Sequence, residues 1–452
     1  MMDLKNKRVL VVGLGKSGLS AAMFLREQGA RVTVSDTRSA VALAKEIPAL
    51  LEAGIMVESG GHGLLTFRRQ DLIVVSPGVP MDTPEVKQVV AFGLPVIGEL
   101  ELASRYLKGD VVAITGSNGK TTTTTLVGQI FADAGRPTLV GGNIGLPVID
   151  LVKESTAETV SVLEVSSFQL ETVEEFHPHI AAVLNITPDH LDRHGSFEKY
   201  AAAKTKITEN QTAEDFLVLN AEDKAAQMVA LKTKAQIYWF SGRRPIKQGA
   251  FVHGESILFI PREGAKAEPV MAVSEIHLKG SHNVENVLAA VCMARLGKIP
   301  AESIRASVAA FKAVEHRLEL VKLVNGVEFY NDSKATNVDA AMKAVASFAG
   351  GIHLILGGKD KDSDYSLMSE LLKERVKIVY TIGSAAEKIE RQLHGVVKIV
   401  PAETLQAAVK KAAKAATVGD VVLLSPACSS FDQFENYEQR GRVFRQLVNE
   451  LN

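Results

Sequence analysis

Short apolar runs that alternate with amphipathic stretches constrain the fold of this 452-residue chain more than any other feature. Runs such as RVLVVG, VVAITG and GIHLILGG are rich in β-branched residues and end in glycine. Continuous apolar runs of this length are typical of parallel strands buried on both faces, and the stretches between them suit crossover helices. The pattern therefore predicts an α/β fold with parallel sheets, whose ligands lie beyond the carboxyl ends of the strands.

The length exceeds what one hydrophobic core usually supports, and it indicates two to four domains. The stretch GLPVIGELELASRY separates two strand–helix blocks, and a helix stops and restarts at Pro300. Between Trp239 and Ile276 the runs are shorter and alternate, which favours a small antiparallel sheet. With boundaries placed near residues 97 and 300, the predicted domains are 1–97, 98–300 and 301–452.

Composition argues against several classes of protein. Hydrophobic residues make up 46% and charged residues 23% of the chain, as in ordinary globular proteins, and the formal net charge of −1 gives no electrostatic reason to expect nucleic acid or an anionic membrane as a partner. Cys292 and Cys428 lie far apart, which fits a reducing cytosol. Because no segment approaches the roughly 18 apolar residues of a membrane span, and the N-terminal apolar run is too short for a signal peptide, we expect a cytoplasmic protein.

A first glycine turn lies in VVGLGKSG, which places Gly13, Gly15 and Gly18 in G-x-G-x-x-G spacing between a strand and a helix. The next strand, RVTVSD, ends in Asp36. This arrangement is the dinucleotide fingerprint, in which the backbone approaches a phosphate at a helix N-terminus. The spacing fits NAD as well as another nucleotide, and a tight turn without a ligand also produces it. The loop VVSPGVP follows a later strand and is expected near the same pocket.

A second glycine turn, GSNGKTT, starts at Gly116 and is shorter than the full eight-residue P-loop. Its glycines allow backbone N–H groups to face a polyphosphate, Lys120 offers a cation for the outer phosphates, and the Thr121 hydroxyl can bind Mg²⁺. Glu164 ends the run TVSVLE and can complete the Mg²⁺ shell. The other threonines are expected to serve the helix. The sequence therefore predicts a nucleotide triphosphate site at this turn.

A cluster of polar residues follows the apolar run AAVLNIT and consists of Asp189, His190, Asp192, Arg193 and His194. A histidine beside an aspartate suits a hard metal site that carries phosphate and carboxylate groups. We therefore interpret His190 as functional. For Asp192, Arg193 and His194, a structural and a functional role stay open.

Several motifs, in order along the chain, resemble the Mur ligases of bacterial cell-wall synthesis, and most of all those members that add D-glutamate. They are GSNGKTT, EVSSFQL, NITPDHLDRHG, GSHNVENVLAA, EHRLE, NDSKATN and SPACSSFDQFENYEQRG. The resemblance covers nearly the whole chain. It implies a Rossmann-like first domain that binds a UDP-linked substrate, a central P-loop ATPase domain, and a Rossmann-like C-terminal domain that closes over ATP and brings the amino acid. The Asp-Asn-Pro-Arg motif of the members that add a diamino acid does not occur in the sequence, which favours D-glutamate.

The resemblance also implies roles for individual residues. The residues implied for the UDP-linked substrate are Gly15, Lys16, Ser17, Asp36, Thr37, Arg38, Ser76, Gly78 and Asn143. Those implied for ATP are Gly116, Ser117, Asn118, Gly119, Lys120, Thr121, Thr122, Asn283, Asn286, Arg317, Asp332 and Lys334. Those implied for D-glutamate are Thr336, Lys361, Ser430, Phe431 and Tyr437, with Lys361 rather than Lys359 aligned to the family's lysine. The implied metal ligands are Thr121, Glu164, His190 and Lys204, and the implied catalytic residues are Lys120, Glu164, His190 and Lys204.

For Lys204, in YAAAK, the residue pattern and the family resemblance lead to different predictions. By its residue type and its place in a helical pattern, it is expected to be a solvated helix lysine. The family resemblance instead implies that CO₂ carbamylates it, which turns a cation into a carboxylate that binds metal.

The activity implied by the resemblance is ATP-dependent formation of an amide between UDP-N-acetylmuramoyl-L-alanine and D-glutamate, through an acyl phosphate and with two Mg²⁺ or Mn²⁺ ions. It would belong to cytoplasmic peptidoglycan precursor synthesis, and hence to cell-wall biogenesis, cell shape and division. The implied protein is a monomer that neither binds nucleic acid nor inserts into a membrane.

Three alternatives remain open on sequence. The first glycine turn could serve an NAD-dependent oxidoreductase, and the second could serve a nucleotide-binding switch that has no ligase chemistry. A folylpolyglutamate synthase-like ligase shares the ATPase core, but the UDP-type first domain and the C-terminal SPACSSFDQF argue against it.

Overall fold

Three β-sheets flanked by helices follow one another along the chain in the computed structural model, which describes residues 2–312 and 314–451. The predicted α/β fold is therefore confirmed. The runs RVLVVG, VVAITG and GIHLILGG each form a strand, and their apolar residues are buried except for the partly buried Val111. The domain boundaries near residues 97 and 300 stay predictions.

The N-terminal sheet has five parallel strands. They are β1 (Arg8–Val12), β2 (Arg31–Asp36), β3 (Met56–Ser59), β4 (Leu72–Val75) and β5 (Val96–Gly98). The helices are α1 (Lys16–Glu27), α2 (Ile47–Glu52), α3 (Leu64–Arg68), α4 (Pro84–Ala91) and α5 (Glu99–Ser104). The strand order β3-β2-β1-β4-β5 is of the Rossmann type, and it reverses between β1 and β4. Ligands of such sheets bind beyond the strand ends at that reversal, where the first glycine turn lies.

The central sheet has nine strands. They are β6 (Asp110–Thr115), β7 (Thr138–Gly142), β8 (Val160–Glu164), β9 (Ile180–Val183), β10 (Phe216–Asn220), β11 (Gln236–Ser241), β12 (Gly249–His253), β13 (Ser256–Ile260) and β14 (Glu268–Ala272). Their order is β14-β13-β12-β11-β10-β9-β6-β8-β7. The strands from β6 to β11 are parallel, whereas β12, β13 and β14 pair antiparallel. The predicted antiparallel segment is thus present, as an extension of the parallel sheet.

Eight helices accompany the central sheet. They are α6 (Lys120–Asp133), α7 (Val148–Leu151), α8 (Ser167–Leu170), α9 (Leu191–His194), α10 (Phe197–Thr205), α11 (Lys224–Ala230), α12 (Ser281–Leu296) and α13 (Ala301–Ala310). Helix α12 is buried at every position from Asn286 to Ala294, because it lies between α6 and the sheet. Helix α13 also packs on α6 and on β14, so the packing of the central sheet continues past residue 300.

The C-terminal sheet has six strands in the order β15-β16-β20-β17-β18-β19. Their ranges are β15 (Glu319–Val324), β16 (Val327–Asn331), β17 (Ile352–Gly357), β18 (Val376–Ile382), β19 (Lys398–Glu403) and β20 (Val421–Leu424). The helices are α14 (Val338–Ala346), α15 (Ser369–Arg375), α16 (Ala386–Gln392), α17 (Leu405–Ala415) and α18 (Tyr437–Asn449). Strand β15 pairs antiparallel with β16 across an Asn-Gly turn, and the other pairings are parallel.

Cys292 and Cys428 are buried free thiols. Within residues 2–312 and 314–451, no helix is both long enough and apolar enough to cross a membrane.

Candidate active site

The first glycine turn joins β1 to α1, and its three glycines have different surroundings. Gly13 has a φ of +87°. A Cβ on Gly18 would lie 1.9 Å from the Gly13 carbonyl oxygen, so this position requires glycine. A Cβ on Gly15 would meet no atom of the described chain within 4 Å. Gly15 therefore faces open space, as the fingerprint requires where backbone approaches a phosphate.

Asp36, at the end of β2, holds the first turn in place. Its carboxylate accepts hydrogen bonds from the Leu14 backbone N–H at 2.7 Å and from the Arg38 backbone N–H at 2.8 Å. The Arg38 guanidinium forms a salt bridge with the same carboxylate at 3.0 Å. Burial alone would raise the pKa of Asp36, but these hydrogen bonds outweigh it and the pKa lies below its usual value. The carboxylate thus ties the turn to the end of the neighbouring strand.

A cavity of about 880 Å³ opens in front of this turn. It continues past the N-terminal sheet to the second glycine turn, where Thr121, Lys334 and Tyr437 also line it. Sequence analysis missed His62, which lines the cavity and shares a 2.7 Å hydrogen bond with the Ser35 hydroxyl. Every residue predicted for the UDP-linked substrate lines this one cavity: Gly15, Lys16, Ser17, Asp36, Thr37, Arg38, Ser76, Gly78 and Asn143.

The second glycine turn joins β6 to α6 and is more enclosed than the first. Gly119 has a φ of +87°, and a Cβ there would lie 2.2 Å from the Asn286 side-chain oxygen. The Lys120 amine donates hydrogen bonds to the carbonyls of Gly116 at 2.8 Å and Ser117 at 3.0 Å. Burial lowers the pKa of Lys120, and the charge of Glu164 opposes that shift. The lysine therefore curls over the loop at the position where phosphate oxygens are expected.

The predicted metal ligands Thr121 and Glu164 lie side by side. The Thr121 hydroxyl donates to Glu164 Oε2 at 2.7 Å, and the Asn143 amide donates to Glu164 Oε1 at 2.8 Å. Burial would raise the pKa of Glu164, but Lys334, Lys120 and these two hydrogen bonds keep it below its usual value, so the carboxylate is ionised at neutral pH. A hydroxyl beside an ionised carboxylate offers the hard oxygen donors that Mg²⁺ prefers.

Asp189 and His190 lie at the opposite side of the second turn. His190 has a φ of +53° and immediately precedes α9. The Asp189 carboxylate accepts hydrogen bonds from the His190 backbone N–H at 2.9 Å, the Asn337 amide at 2.9 Å and the Lys361 amine at 3.2 Å. Burial lowers the pKa of His190 to about 4, against the charge of Asp189, so the ring is neutral at neutral pH. A neutral imidazole is the form that binds a metal.

Lys204 is 1% exposed, so its interpretation as a solvated helix lysine is wrong. Its amine donates to the Gly116 carbonyl at 2.8 Å and lies 4.7 Å from the centre of the Tyr200 ring. Burial and the neighbouring charge of Lys120 lower its pKa well below the usual value. Helix α10 thus carries a lysine into the second glycine turn, from a position 88 residues further along the chain.

A second cavity, of about 360 Å³, lies between the central and C-terminal sheets. Lys120, Asn143, His190 and Lys204 line its central side. Lys361 reaches into it, whereas Lys359 is exposed. No role was predicted for the lining residues Phe168, Tyr200, Asn436 and Glu438, although Phe168 lies in the motif EVSSFQL and the last two lie in SPACSSFDQFENYEQRG. All residues predicted for D-glutamate line this cavity: Thr336, Lys361, Ser430, Phe431 and Tyr437.

A third, narrow cavity of about 40 Å³ lies on the other face of the second turn. Sequence analysis missed two residues that line it, His282 and Lys343. Burial raises the pKa of Asp332, which also lines it, to about 6, and the charge of Arg317 opposes that rise. Seven residues predicted for ATP line this cavity: Asn118, Gly119, Thr122, Asn283, Asn286, Arg317 and Asp332.

Two other residues predicted for ATP lie elsewhere. The Ser117 hydroxyl bonds the Thr187 carbonyl and the Tyr200 hydroxyl, both at 2.9 Å, and so supports the loop. Lys334 lines the cavity in front of the first glycine turn, with its amine 5.0 Å from the centre of the Tyr437 ring. Burial lowers the pKa of Lys334 to about 8, while the charge of Glu164 opposes that shift.

The three undecided residues of the polar cluster separate in the structure. Asp192 is exposed. His194 is buried, stacks on Phe168 and shares a 3.0 Å hydrogen bond with the Ser167 hydroxyl, which is a structural role. Arg193 reaches the backbone of the N-terminal domain at Val79.

Comparison with known proteins supports the resemblance found in the motifs. The chain matches the Mur ligase MurD-like N-terminal domain over residues 7–98, the Mur ligase middle domain over residues 114–294, and the Mur ligase glutamate ligase domain over residues 316–428. The first of these matches argues against NAD as the ligand of the first glycine turn.

Two relatives that match over the full length have the same name. The chain is 66% identical to the UDP-N-acetylmuramoylalanine--D-glutamate ligase of Acidobacterium capsulatum, with 99% of this chain and 97% of the relative covered. It is 58% identical to the protein of the same name from Koribacter versatilis, with 100% and 99% covered.

Solved structures agree on the fold. UDP-N-acetylmuramate-alanine ligase MurC from Thermotoga maritima superposes with a TM-score of 0.61 at 18% identity, covering 98% of this chain and 99% of that one. MurF ligase from Thermotoga maritima in complex with ADP superposes with a TM-score of 0.61 at 16% identity, covering 100% of both chains. The predicted resemblance is confirmed, and the chain belongs to the Mur ligase family.

Proposed function

We propose that this Mur ligase joins D-glutamate to UDP-N-acetylmuramoyl-L-alanine at the expense of ATP. One observation carries the proposal. The cavity that holds the predicted D-glutamate residues also holds Lys120, His190 and Lys204, and it shares Asn143 and Tyr437 with the cavity in front of the first glycine turn. A UDP-linked substrate that extends along the larger cavity would therefore bring its far end to the second glycine turn.

A carboxylate needs activation before it can form an amide, because its oxygen is a poor leaving group. We propose that the alanyl carboxylate attacks the γ-phosphorus of ATP and that ADP leaves. The amine of D-glutamate then attacks the carbonyl carbon of the acyl phosphate, and inorganic phosphate leaves from the tetrahedral intermediate. Lys120 would bind the transferring phosphoryl group, which is supported by the position of its amine over the loop that would cradle the phosphates.

Two metal positions are part of the proposal. Thr121 and Glu164 fit one Mg²⁺, because they offer a hydroxyl and an ionised carboxylate within one hydrogen bond of each other. His190 and a carbamate on Lys204 would hold a second ion, as both residues line the same cavity. Bound Mg²⁺ would supply positive charge beside the phosphoryl group as it moves.

The surroundings of Lys204 support carbamylation. An amine must be uncharged to react with CO₂, and burial beside Lys120 favours the uncharged form. We expect protein equilibrated with ¹³C-bicarbonate to show a carbamate carbon signal by NMR. Lys204→Ala should lack that signal, and an equal signal in both proteins would contradict the assignment.

Contacts between the C-terminal domain and the second turn support exclusion of water from the acyl phosphate. The Asn118 amide donates to Asp339 at 2.6 Å, and Lys361 pairs with Asp189 across the same boundary. These contacts cover the loop from the side where D-glutamate would enter. We further propose a cytoplasmic monomer, because one chain supplies every predicted site residue and ATP is a cytoplasmic substrate.

Release of phosphate tests the proposed function. Purified protein is mixed with ATP, Mg²⁺ and UDP-N-acetylmuramoyl-L-alanine, and phosphate is measured with D-glutamate, L-glutamate or a diamino acid. Of the three amino acids, we expect only D-glutamate to give fast release of phosphate. Release that does not depend on the amino acid would contradict ligase chemistry and favour a nucleotide-binding switch, and release with the diamino acid would contradict the assigned substrate.

A further inference from the structure

Arg193, on α9 of the central domain, contacts three consecutive backbone carbonyls of the N-terminal domain. Its guanidinium donates to the carbonyl oxygens of Val79 at 2.9 Å, Gly78 at 3.2 Å and Pro77 at 3.5 Å. With Ser76, these residues form the loop after β4, here called the UDP loop (Ser76–Val79), which lines the cavity in front of the first glycine turn. One side chain from a different domain thus holds the outer part of this loop.

The N-terminal domain itself holds the inner end of the UDP loop through Ser76. The Ser76 hydroxyl donates to the Gly13 carbonyl at 2.7 Å, and the Val79 backbone N–H donates to the Ser76 carbonyl at 2.9 Å. The next three carbonyls turn toward the central domain and meet Arg193. A guanidinium can bind several neighbouring carbonyls at once, because its N–H donors lie in one plane and point in different directions.

Arg193 also packs on Phe168, which in turn contacts His190. The guanidinium carbon lies 4.8 Å from the centre of the Phe168 ring, and that ring makes an edge contact with the His190 ring at 4.9 Å. Glu171 lies 3.6 Å from the guanidinium, and the Arg193 side chain is 18% exposed. The UDP loop, Arg193, Phe168 and His190 therefore form a continuous chain of contacts between two substrate cavities.

We propose that Arg193 is a positioning residue that fixes the UDP loop against the His190 segment and so sets the affinity for the UDP-linked substrate. The ion pair with Glu171 does not explain the arrangement, because Glu171 lies outside the UDP loop and its 3.6 Å contact is longer than the bonds to Val79 at 2.9 Å and Gly78 at 3.2 Å. The three carbonyl contacts are hydrogen bonds to a charged donor, which are stronger. The inference rests on the proposed function, since it takes the UDP-linked compound as the ligand of the larger cavity.

Calorimetric titration with UDP-N-acetylmuramoyl-L-alanine, and separately with a non-hydrolysable ATP analogue, tests this proposal. In Arg193→Ala we expect the dissociation constant for the UDP-linked substrate to rise about tenfold, and that for the ATP analogue to change less than about twofold. Arg193→Lys should give an intermediate rise, because a lysine keeps the charge but not the planar set of donors. Arg69→Ala, which removes an exposed arginine of the same N-terminal domain, should match the unaltered protein.

Steady-state kinetics gives a second readout. KM for the UDP-linked substrate should rise in Arg193→Ala while KM for ATP stays constant. Unchanged affinity for the UDP-linked substrate in a folded Arg193→Ala protein would overturn the proposal, and so would an equal loss at both sites, which indicates general destabilisation. If Arg193→Ala does not fold, the same test is made with Arg193→Lys, from its dissociation constants for the UDP-linked substrate and the ATP analogue. Failure of the unaltered protein to bind the UDP-linked substrate would instead overturn the proposed function, and this inference with it.

Discussion

The two glycine turns of this chain have the same local plan and very different surroundings. Each follows a buried parallel strand and opens a helix, and each contains a lysine. Lys16 in the first turn is exposed and donates to the Gly145 carbonyl at 2.5 Å. Lys120 in the second turn is enclosed by Glu164, Asp189 and Lys204, and the C-terminal domain covers the loop beside it.

This difference in burial separates binding from chemistry. Near an open turn, water screens charges. The backbone can therefore bind a phosphate there, but neighbouring charged side chains change the reactivity of that phosphate only slightly. In an enclosed turn, charges act on one another strongly, and burial lowers the pKa of both Lys120 and Lys204. On the proposed function, the same glycine-rich geometry would bind a substrate in one domain and stabilise a transferring group in the next.

Removing the lysine of each turn in separate variants tests the comparison, and its expected effect is the largest. In Lys120→Ala we expect amino-acid-dependent phosphate release to fall by about a thousandfold or more, because charge on the moving phosphoryl group loses its nearest cation. The dissociation constant of the UDP-linked substrate, measured by calorimetry, should stay within about threefold. Lys16→Ala is the matched control and should show the reverse, with weaker binding and a preserved kcat. If both variants lost phosphate release and substrate affinity to the same extent, the proposed difference between the two turns would be wrong.

Glu164→Gln tests whether the enclosed turn depends on an ionised oxygen ligand. The amide keeps the shape of the side chain but removes the charge, so we expect turnover to fall by about a hundredfold at a fixed Mg²⁺ concentration and to recover partly as Mg²⁺ is raised. A titration of activity against Mg²⁺ measures this. Turnover that is independent of the charge at residue 164 would show that this carboxylate does not hold the metal.

Gly15→Ala and Gly18→Ala sharpen the description of the open turn. A methyl group on Gly15 points into open space, so we expect thermal stability to be unchanged while the UDP-linked substrate binds about tenfold more weakly. A methyl group on Gly18 collides with the Gly13 carbonyl and should cost about 2–4 kcal/mol of folding stability. Thermal unfolding and calorimetry on both variants separate the two effects. Tight binding by Gly15→Ala would show that the substrate does not approach this backbone.

The smallest expected effect is a dependence on pH that arises from Lys334. Burial lowers its pKa to about 8, so the amine loses its charge as the pH rises through that value. If Lys334 contacts phosphate, apparent affinity for ATP should weaken by about threefold to tenfold between pH 7.5 and 9. Lys334→Arg keeps its charge over this range and should show a flatter profile. Identical dependence of ATP affinity on pH in the unaltered protein and in Lys334→Arg would show that Lys334 does not contact phosphate.

Much of this arrangement can be predicted from the sequence, because strands, glycines and chemically active residues lie close together along the chain. Both glycine turns, Thr121, Glu164 and His190 are of this kind. Glu164 ends strand β8, while Thr121 and His190 lie on the segments that follow strands β6 and β9. The antiparallel strands β12–β14 were also predicted, but their union with the parallel sheet was not. Sequence patterns within a segment do not specify which segment pairs with it.

Lys204 and Arg193 could not be assigned from the residues alone, for a related reason. In helix α10, Lys204 follows three alanines that carry no chemical signal, and its amine is bonded to the Gly116 carbonyl of a distant turn. Arg193 acts on Gly78 and Val79, more than 100 positions earlier in the chain. Contacts of this range depend on how the three sheets pack, which a local pattern does not show.

Transfer of an oxygen atom tests the central claim most directly, namely that the substrate held by the first turn reacts with the nucleotide held by the second. UDP-N-acetylmuramoyl-L-alanine labelled with ¹⁸O in the alanyl carboxylate is turned over with ATP, Mg²⁺ and D-glutamate, and the phosphate is analysed by ³¹P NMR. Attack of the carboxylate on the γ-phosphorus predicts one ¹⁸O atom in each phosphate released. Phosphate without ¹⁸O would mean that water attacks ATP instead, and that the two turns do not share one reaction.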